Sequence, residues 1–480
     1  MKVRFVTLGC KLNFAESSAL GKELLKRGHQ RASLSEVPDV CVVNTCSVTD
    51  VADHKDRQAI HQLHRKYPNA IIIVTGCYAQ LQPEQIAQIE GVDYVLGQEE
   101  KYDIPALVER LEDRILDRCA VDRASGPVER CAVVSVCAIR EVDEFHGVHS
   151  ADDRTRCFIK VQDGCNYFCT YCTIPYARGK SRNPKISEVV ADAKKALEQG
   201  AKELIITGVN IGDFGRSTGE SFIELLRALD SLEAEKTTQS DLINDNIDNI
   251  ALESTPSSAT QENKNDLGER REGDEAIRRE ARGMDYRVRI SSCEPNLLTD
   301  EIIDFVAQSK HFAPHFHIPL QSGSNEVLKI MGRRYTRELF ADRVRHIREV
   351  MPHAFIGVDC MVGVRGETEE YWEDYLRFIN ELDVSQLHVF TYSERANTRM
   401  LEMDLYIVPK SERQRRSKIL HQVSEEKTRN FYAKHTGRKA VVLWESKKEG
   451  EQMSGFTENY IKVYGPYDRT KINCFEVIRL

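Results

Sequence analysis

Three times in its first third the chain runs a short apolar stretch into a cysteine-bearing turn and then into a helical pattern. No other feature constrains its fold as much. Residues 3–8 lead into Gly9-Cys10 and then 16–27; residues 40–44 lead into Thr45-Cys46 and then 51–66; residues 70–74 lead into Thr75-Gly76-Cys77 and then 83–89. Strands that alternate with helices build a parallel, doubly wound sheet. The carboxyl ends of its strands share one rim, where such folds bind ligands. Cysteines 10, 46 and 77 are far apart in sequence, yet this topology can gather them on that rim.

A second strand–helix series begins at residue 156. Its strand-like runs are 158–161, 203–207, 287–291, 315–318, 355–362 and 386–390, with helical patterns between them. Six such units predict a complete or partial (βα) barrel. The polar stretch 140–153 reads as a linker. Residues 231–284 are rich in Asn, Asp, Glu, Ser and Thr and carry no sustained hydrophobic period. They read as a disordered insertion in a surface loop, a tolerated insert more than a partner-binding arm. At the end, 439–444, 460–463 and 474–478 alternate as strands with basic, turn-rich connections, the pattern of a small β-barrel that holds RNA.

A chain of 480 residues exceeds one ordinary core and implies two or three domains. Its apolar runs are too short to span a bilayer, and its first residues read as a strand instead of a signal peptide, which places it in the cytosol. The net charge of −8 argues only weakly against nucleic acid, because it is unevenly spread. Residues 231–284 hold 13 acidic and 7 basic side chains, whereas 427–480 hold 11 Lys/Arg against 6 Asp/Glu. In a reducing cytosol the 14 cysteines are not a disulfide framework, so ligand spacing decides which of them matter.

The strongest chemical signal is Cys165-x3-Cys169-x2-Cys172, just after a strand. Three thiolates this close can ligate three irons of one iron–sulfur cube and leave the fourth open to a chelating small molecule. Structural zinc wants four closed ligands, and no obvious fourth lies nearby. This spacing resembles the defining motif of the radical S-adenosylmethionine (SAM) superfamily. The resemblance implies SAM bound to the open iron and cleaved to a 5′-deoxyadenosyl radical.

The contexts TLGCKLN, NTCSVT and TGCYAQ around Cys10, Cys46 and Cys77 are similar to the N-terminal domain of the radical SAM methylthiotransferase family, where three cysteines hold an auxiliary [4Fe–4S] cluster. The resemblance covers nearly the whole chain. It implies an N-terminal methylthiotransferase domain (1–139), a linker (140–155), a radical SAM partial barrel (156–426) and a TRAM-like RNA-binding β-barrel (427–480). The runs CTYCTIPYARGKSR and SSCEP look closest to the branch that acts on threonylcarbamoyladenosine in tRNA. The implied reaction uses two SAM molecules: one methylates a sulfur at the auxiliary cluster, the other yields the radical, and a methylthio group is added at C2 of adenine 37 in the anticodon loop. Isopentenyladenosine tRNA and a ribosomal-protein aspartate are the rival acceptors. An iron–sulfur electron carrier or sensor is the rival of another class, and SAM cleavage under reduction separates it.

For SAM the candidate contacts are Tyr171, Gly208, Asn210, Glu294, Gln321, Ser322 and Val362, which lie in the cluster loop or at strand ends. Tyr176, Arg178, Lys180 and Arg182, beyond the cluster loop, are candidates for the substrate: an aromatic for stacking and cations for a carboxylate. Two segments depart from the family pattern: Val364-Arg365 stands where Phe-Pro is usual, and SERANT (393–398) stands where SPRPGT is usual. Cys41, Cys119, Cys131, Cys137, Cys157, Cys293, Cys360 and Cys474 lack ligand spacing and read as structural. The implied partners are the tRNA anticodon loop and an electron donor such as a flavodoxin or ferredoxin. A sulfur source is also required, which the sequence does not identify. Deleting 231–284 is expected to leave methylthiolation largely intact, measured as product per enzyme in matched assays; an inactive deletion would reverse the reading of that segment.

Overall fold

The computed structural model describes residues 1–33, 35–121, 132–150, 155–232 and 285–480, so the expected insertion, apart from Ser231 and Leu232, lies outside the described residues. Six parallel strands form the first sheet: β1 (Lys2–Thr7), β2 (Gln30–Arg31), β3 (Val40–Thr45), β4 (Ile71–Gly76), β5 (Tyr94–Leu96) and β6 (Val133–Ser135), in the order β2-β1-β3-β4-β5-β6. β3 is buried at every position, as a central strand covered on both faces must be. Leu20, Leu24, Ile104 and Leu107 pack on one face, and Ile60, Leu63 and Ile86 on the other. The strand order reverses between β1 and β3, the point at which such sheets place their ligands. β2, β5 and β6 are two or three residues long, too short for a periodic signal, and only β1, β3 and β4 were legible.

All six expected barrel strands are present: β7 (Arg156–Lys160), β8 (Glu203–Thr207), β9 (Arg287–Ile290), β10 (His315–Gln321), β11 (Phe355–Val362) and β12 (Gln386–Thr391). They pair in parallel as β7-β8-β9 and β10-β11-β12, and bridges at Val288–Phe312 and Ser292–His317 join the two sets into an open, partial barrel. Alternate residues of each strand, among them Ile159, Ile206, Val288, Ile318 and Val358, face the outer helices and build the largest core. The intervening residues face the concave side.

Part of that concave side is filled by the other domain. Helix Lys11–Lys26, which follows β1, lays Ala15 against Phe158 of β7 and Ile205 of β8. Beside this contact lies a buried charge network. Glu16 pairs with Lys101 at 2.8 Å, Arg178 at 3.0 Å and Lys160 at 3.3 Å, and Asp163 pairs with Lys160 at 2.7 Å and Arg178 at 3.1 Å. All five side chains are buried. Burial alone would push the Glu16 carboxyl up, but Arg178, Lys101 and Lys160 together hold it well below the usual range.

The expected linker is not a free tether in its described part. The Lys160 N–H donates to Val148 and the Ser150 N–H to Phe158, so the segment runs antiparallel along β7 and satisfies an edge that would otherwise stay unpaired. Helix Lys410–His435 crosses the expected boundary at 426/427 without a break. Beyond it an antiparallel sheet, β13 (Lys439–Glu449), β14 (Gln452–Thr457), β15 (Lys462–Pro466) and β16 (Phe475–Arg479), runs in the order β15-β14-β13-β16. It closes the amino end of the barrel. Arg287 donates to the carbonyls of Val441 and Phe456, and Arg289 to those of Thr457 and Glu458. Among the described residues no helix is long and apolar enough to cross a membrane.

Removing one member of a buried ion network leaves its partners charged and unanswered, a cost of about 3–5 kcal/mol. Glu16→Ala is therefore expected to lower the urea midpoint sharply, whereas a substitution at the exposed surface pair Lys447–Glu449 is expected to shift it little.

Candidate functional site

Cys10 follows β1, Cys46 follows β3 and Cys77 follows β4, so the topology brings the three to one rim, astride the point where the strand order reverses. Their turns are tightly joined. Gly9 has φ of +96°, and a Cβ there would lie 2.5 Å from the Cys46 Cβ, so only glycine lets the first turn approach the second. The Asn13 amide donates to the carbonyls of Leu8 and Thr45, one from each turn. Asp56 accepts from the Cys46 N–H at 3.0 Å, and the Gln98 amide donates to the Cys77 sulfur at 3.6 Å. Burial pushes the Cys46 thiol up to about 12, with Cys77 and Cys10 adding to the rise. Cys77 is also raised by burial, while Arg178 and Lys101 oppose the rise.

The second trio lies in the loop after β7. The Tyr167 N–H points at the Cys165 sulfur at 3.4 Å, the Ile174 N–H at the Cys172 sulfur at 3.4 Å, and the Arg333 guanidinium at the Cys169 sulfur at 3.3 Å. Burial raises Cys165 to about 11 and Cys172 to about 12. Such thiols lose their protons when a metal replaces them. Three thiol sulfurs at each site, with N–H groups donated to them that would stabilise anionic sulfur, fit an iron–sulfur cluster.

The two trios face each other. Thr173, next to Cys172, donates to the carbonyl of Ser47, next to Cys46, at 3.4 Å. Helix Cys77–Leu81 packs against helix Ile174–Arg178. Arg178 donates to Asn13, three residues beyond Cys10, at 2.6 Å. Arg395 of SERANT ties the Cys46 loop to the barrel through Ser47, Asp50 and Asp53. The second departure pairs with this one: Arg365 meets Glu394 at 3.0 Å, so an ion pair stands at two positions where the family pattern has proline.

The SAM candidates sit on the carboxyl rim of the barrel, apart from Tyr171 in the cluster loop. At Gly208 a Cβ would lie 2.9 Å from the Gln162 carbonyl, and Gln162 Oε1 accepts from the next two N–H groups. Neither amide atom of Asn210 has a close, well-aligned hydrogen-bond partner, although the side chain is buried with the Tyr167 hydroxyl nearby. Asp213 Oδ2, Asn296 Oδ1 and Gln321 Oε1 are likewise buried and unpartnered, and Gln321 holds a strained φ of +65°. Unsatisfied polar atoms cost free energy, so this rim fits a polar ligand. Glu294 is raised by burial and is held by Arg333, which also reaches the Tyr171 hydroxyl at 3.4 Å. Ser322 is buried and accepts from the Ser324 N–H. Val362 points into the helical layer, and its carbonyl accepts from Tyr392; it is a packing residue.

Among the substrate candidates, Arg178 is buried in the charge network, and Arg182 is buried against the carbonyls of Glu144, Arg178 and Lys180. Neither is free for a substrate carboxylate; both hold the cluster loop in place. Lys180 is exposed. Tyr176 is half-buried and meets the exposed ring of Phe168 edge-on at 6.1 Å. Sequence reasoning passed over Phe168, Arg333 and Lys11. Arg333 lies in GRRYT and Lys11 in CKLN, and nothing in their spacing separates them from surface cations. Of the eight cysteines read as structural, Cys41, Cys157, Cys293 and Cys360 are buried, Cys137 is half-buried and Cys474 is exposed; the side chains of Cys119 and Cys131 lie outside the described residues.

Residues 2–97 match the model of uncharacterized protein family UPF0004, and residues 159–379 that of the radical SAM superfamily. The chain is 32% identical to the threonylcarbamoyladenosine tRNA methylthiotransferase MtaB of Bacillus subtilis (strain 168), over 96% of this chain and 89% of that one. To the MtaB of Aquifex aeolicus (strain VF5) it is 31% identical over 96% of both. A tRNA-2-methylthio-N(6)-dimethylallyladenosine synthase of Pelotomaculum thermopropionicum is 28% identical over 95% of this chain and 88% of its own. In fold the chain is similar to the radical SAM methyltransferase TsrM of Kitasatospora setae, with a TM-score of 0.50 and 16% identity over 82% of this chain and 75% of that one.

Proposed function

The chain belongs to the MtaB-type radical SAM methylthiotransferases, and from that membership we propose that it adds a methylthio group to C2 of N6-threonylcarbamoyladenosine at position 37 of tRNA. It is a radical SAM enzyme that methylthiolates tRNA; the particular adenosine and the use of two clusters are the finer part of the reading. The observation that supports it is the pair of cysteine trios held face to face through Thr173, Ser47, Arg178 and Asn13. When bound, a [4Fe–4S] cluster at Cys165, Cys169 and Cys172 would supply radical generation from SAM, and one at Cys10, Cys46 and Cys77 a seat for the sulfur to be delivered.

The protein's own groups do the rest. Asn210, Asp213 and Gln321 offer unpartnered polar atoms to the rim where SAM would lie. Arg333 places its charge between Glu294 and Cys169 and orients Tyr171. Phe168 and Tyr176 present ring faces and edges beside the cluster loop, where an unstacked base of a single-stranded loop can rest. The C-terminal segment 427–480, the end of the last helix and the sheet together, with its Lys/Arg excess would grip the RNA backbone, and binding should weaken with salt. An electron donor such as a flavodoxin or ferredoxin would reduce the cluster that holds SAM.

The test is anaerobic. With SAM, reductant, a sulfur source and tRNA bearing either threonylcarbamoyladenosine or isopentenyladenosine, mass spectrometry of the digest is expected to find the methylthio product on the first tRNA alone. A product only on the second would move the enzyme to the sister substrate. Cys165→Ala is expected to lose about half of the reconstituted iron and all SAM cleavage, and Cys46→Ala about half of the iron and all methylthiolation while it still cleaves SAM. Methylthiolated product from Cys46→Ala would remove the auxiliary site from the reaction.

A further inference from the structure

On the concave face of the barrel, opposite helix Lys11–Lys26, three adjacent strands present polar side chains where their neighbours present core. β10 offers His317, β11 Asp359 and β12 His388, whereas Ile318, Val358, Cys360 and Leu387 face the helices. His388 stands directly across from Asp359 in the strand register. His317 Nε2 lies 2.7 Å from Asp359 Oδ1, a hydrogen bond that orients its ring, and His388 Nδ1 lies 3.6 Å from the same oxygen. The two rings lie 4.8 Å apart.

Lys11, the first residue of its helix and the neighbour of Cys10, lies within electrostatic reach of Asp359 and His388. Its side chain is exposed, and among the described residues it makes no hydrogen bond or ion pair; desolvation of its amine by surrounding protein and the nearby Arg289 and Arg156 lower its pKa, against Asp359 and Glu203. Asp359, Arg289, Arg156, His315 and His388 lie within its electrostatic reach. The other charges there already have partners: Arg289 is held by Glu203 and Arg156 by Glu445. Lys11 thus stands beside the first cysteine site with Asp359 and Glu203 in electrostatic reach and, among the described residues, no direct ion-pair partner.

The His317, Asp359 and His388 donor atoms are close enough to hold a metal ion. The nearby Lys11, Arg289 and Arg156 disfavour a dication there. The same charges favour an anion. We propose that Lys11, with His317, Asp359 and His388 near it, forms the subsite for the carboxylate-bearing N6 substituent of the adenosine. This rests on the threonylcarbamoyladenosine reading above. The Lys11 ammonium takes the threonyl carboxylate in a charge-assisted contact, and the imidazoles meet the hydroxyl and amide groups of the same substituent. An isopentenyl group offers none of these partners and would bury the cluster against hydrocarbon, the kind of mismatch by which a polar site rejects an apolar analogue.

The test measures binding, so it does not depend on turnover. Anticodon stem–loops carrying threonylcarbamoyladenosine, its methyl ester or isopentenyladenosine are titrated at fixed salt into the reconstituted protein, into Lys11→Met and into Lys11→Arg. The native protein is expected to prefer acid over ester by about tenfold or more. Lys11→Met should bind acid and ester alike with its iron content unchanged, and Lys11→Arg should restore the preference. If Lys11→Met keeps the native preference, or if the native protein has none while it still methylthiolates the threonylcarbamoyl tRNA, the subsite is overturned. If the native protein methylthiolates only isopentenyl tRNA, the substrate reading fails first.

Discussion

Glu16 is a buried carboxylate that answers Lys101, Lys160 and Arg178 at once, and the geometry of the site depends on it. Those cations come from three places: Lys101 from the N-terminal domain, Lys160 from the end of β7, and Arg178 from the segment that closes the second cysteine loop. A buried charge is costly unless it is fully paired, so the network tolerates little change in the distances between these elements. It therefore sets the position of one domain on the other. Because Arg178 also bonds Asn13, and Asn13 bonds the turns that carry Cys10 and Cys46, that positioning reaches the cysteines themselves.

The first helix has two roles. Its apolar residue Ala15 closes the concave face against β7 and β8, and at its start stand Cys10 and Lys11, the latter within electrostatic reach of Asp359 on β11 and His388 on β12. The C-terminal sheet shuts the other end through carbonyls that accept from Arg287 and Arg289. What is left is a lumen with polar walls, both cysteine sites near it, and buried unpartnered atoms on its rim at Asn210, Asp213 and Gln321. A site that must bind a polar cofactor needs this combination of enclosure and unsatisfied polarity.

The two departures from the family pattern also have a physical account. Proline stiffens a turn through its fixed φ. Here Arg365 and Glu394 stand at two of those positions and bond each other, and Glu367 accepts from the N–H groups of Gly363 and Val364 while Arg416 holds it from helix Lys410–His435. Hydrogen bonds and ion pairs thus stabilise turns that would otherwise be held by ring constraint.

Hydrophobic period and cysteine spacing, both local properties, were enough to place three strands of the first sheet, every barrel strand and the six cysteines in their contexts. Strands of two or three residues carry no period, and the β7 edge partner in 148–150 looks like linker because its pairing is with a distant strand. The roles of charged residues were the least legible. Arg178 and Arg182 look like free cations in ARGKSR, and only packing shows them buried against Glu16, Asp163 and backbone carbonyls. Lys11 looks like any lysine at a helix start until the first helix is laid into the barrel. Sequence alone determined most of the longer strands and the places where cysteines cluster, because those follow from neighbours along the chain. The tertiary structure alone decided which charges are paired and with what, because a charge is satisfied by what lies beside it in space.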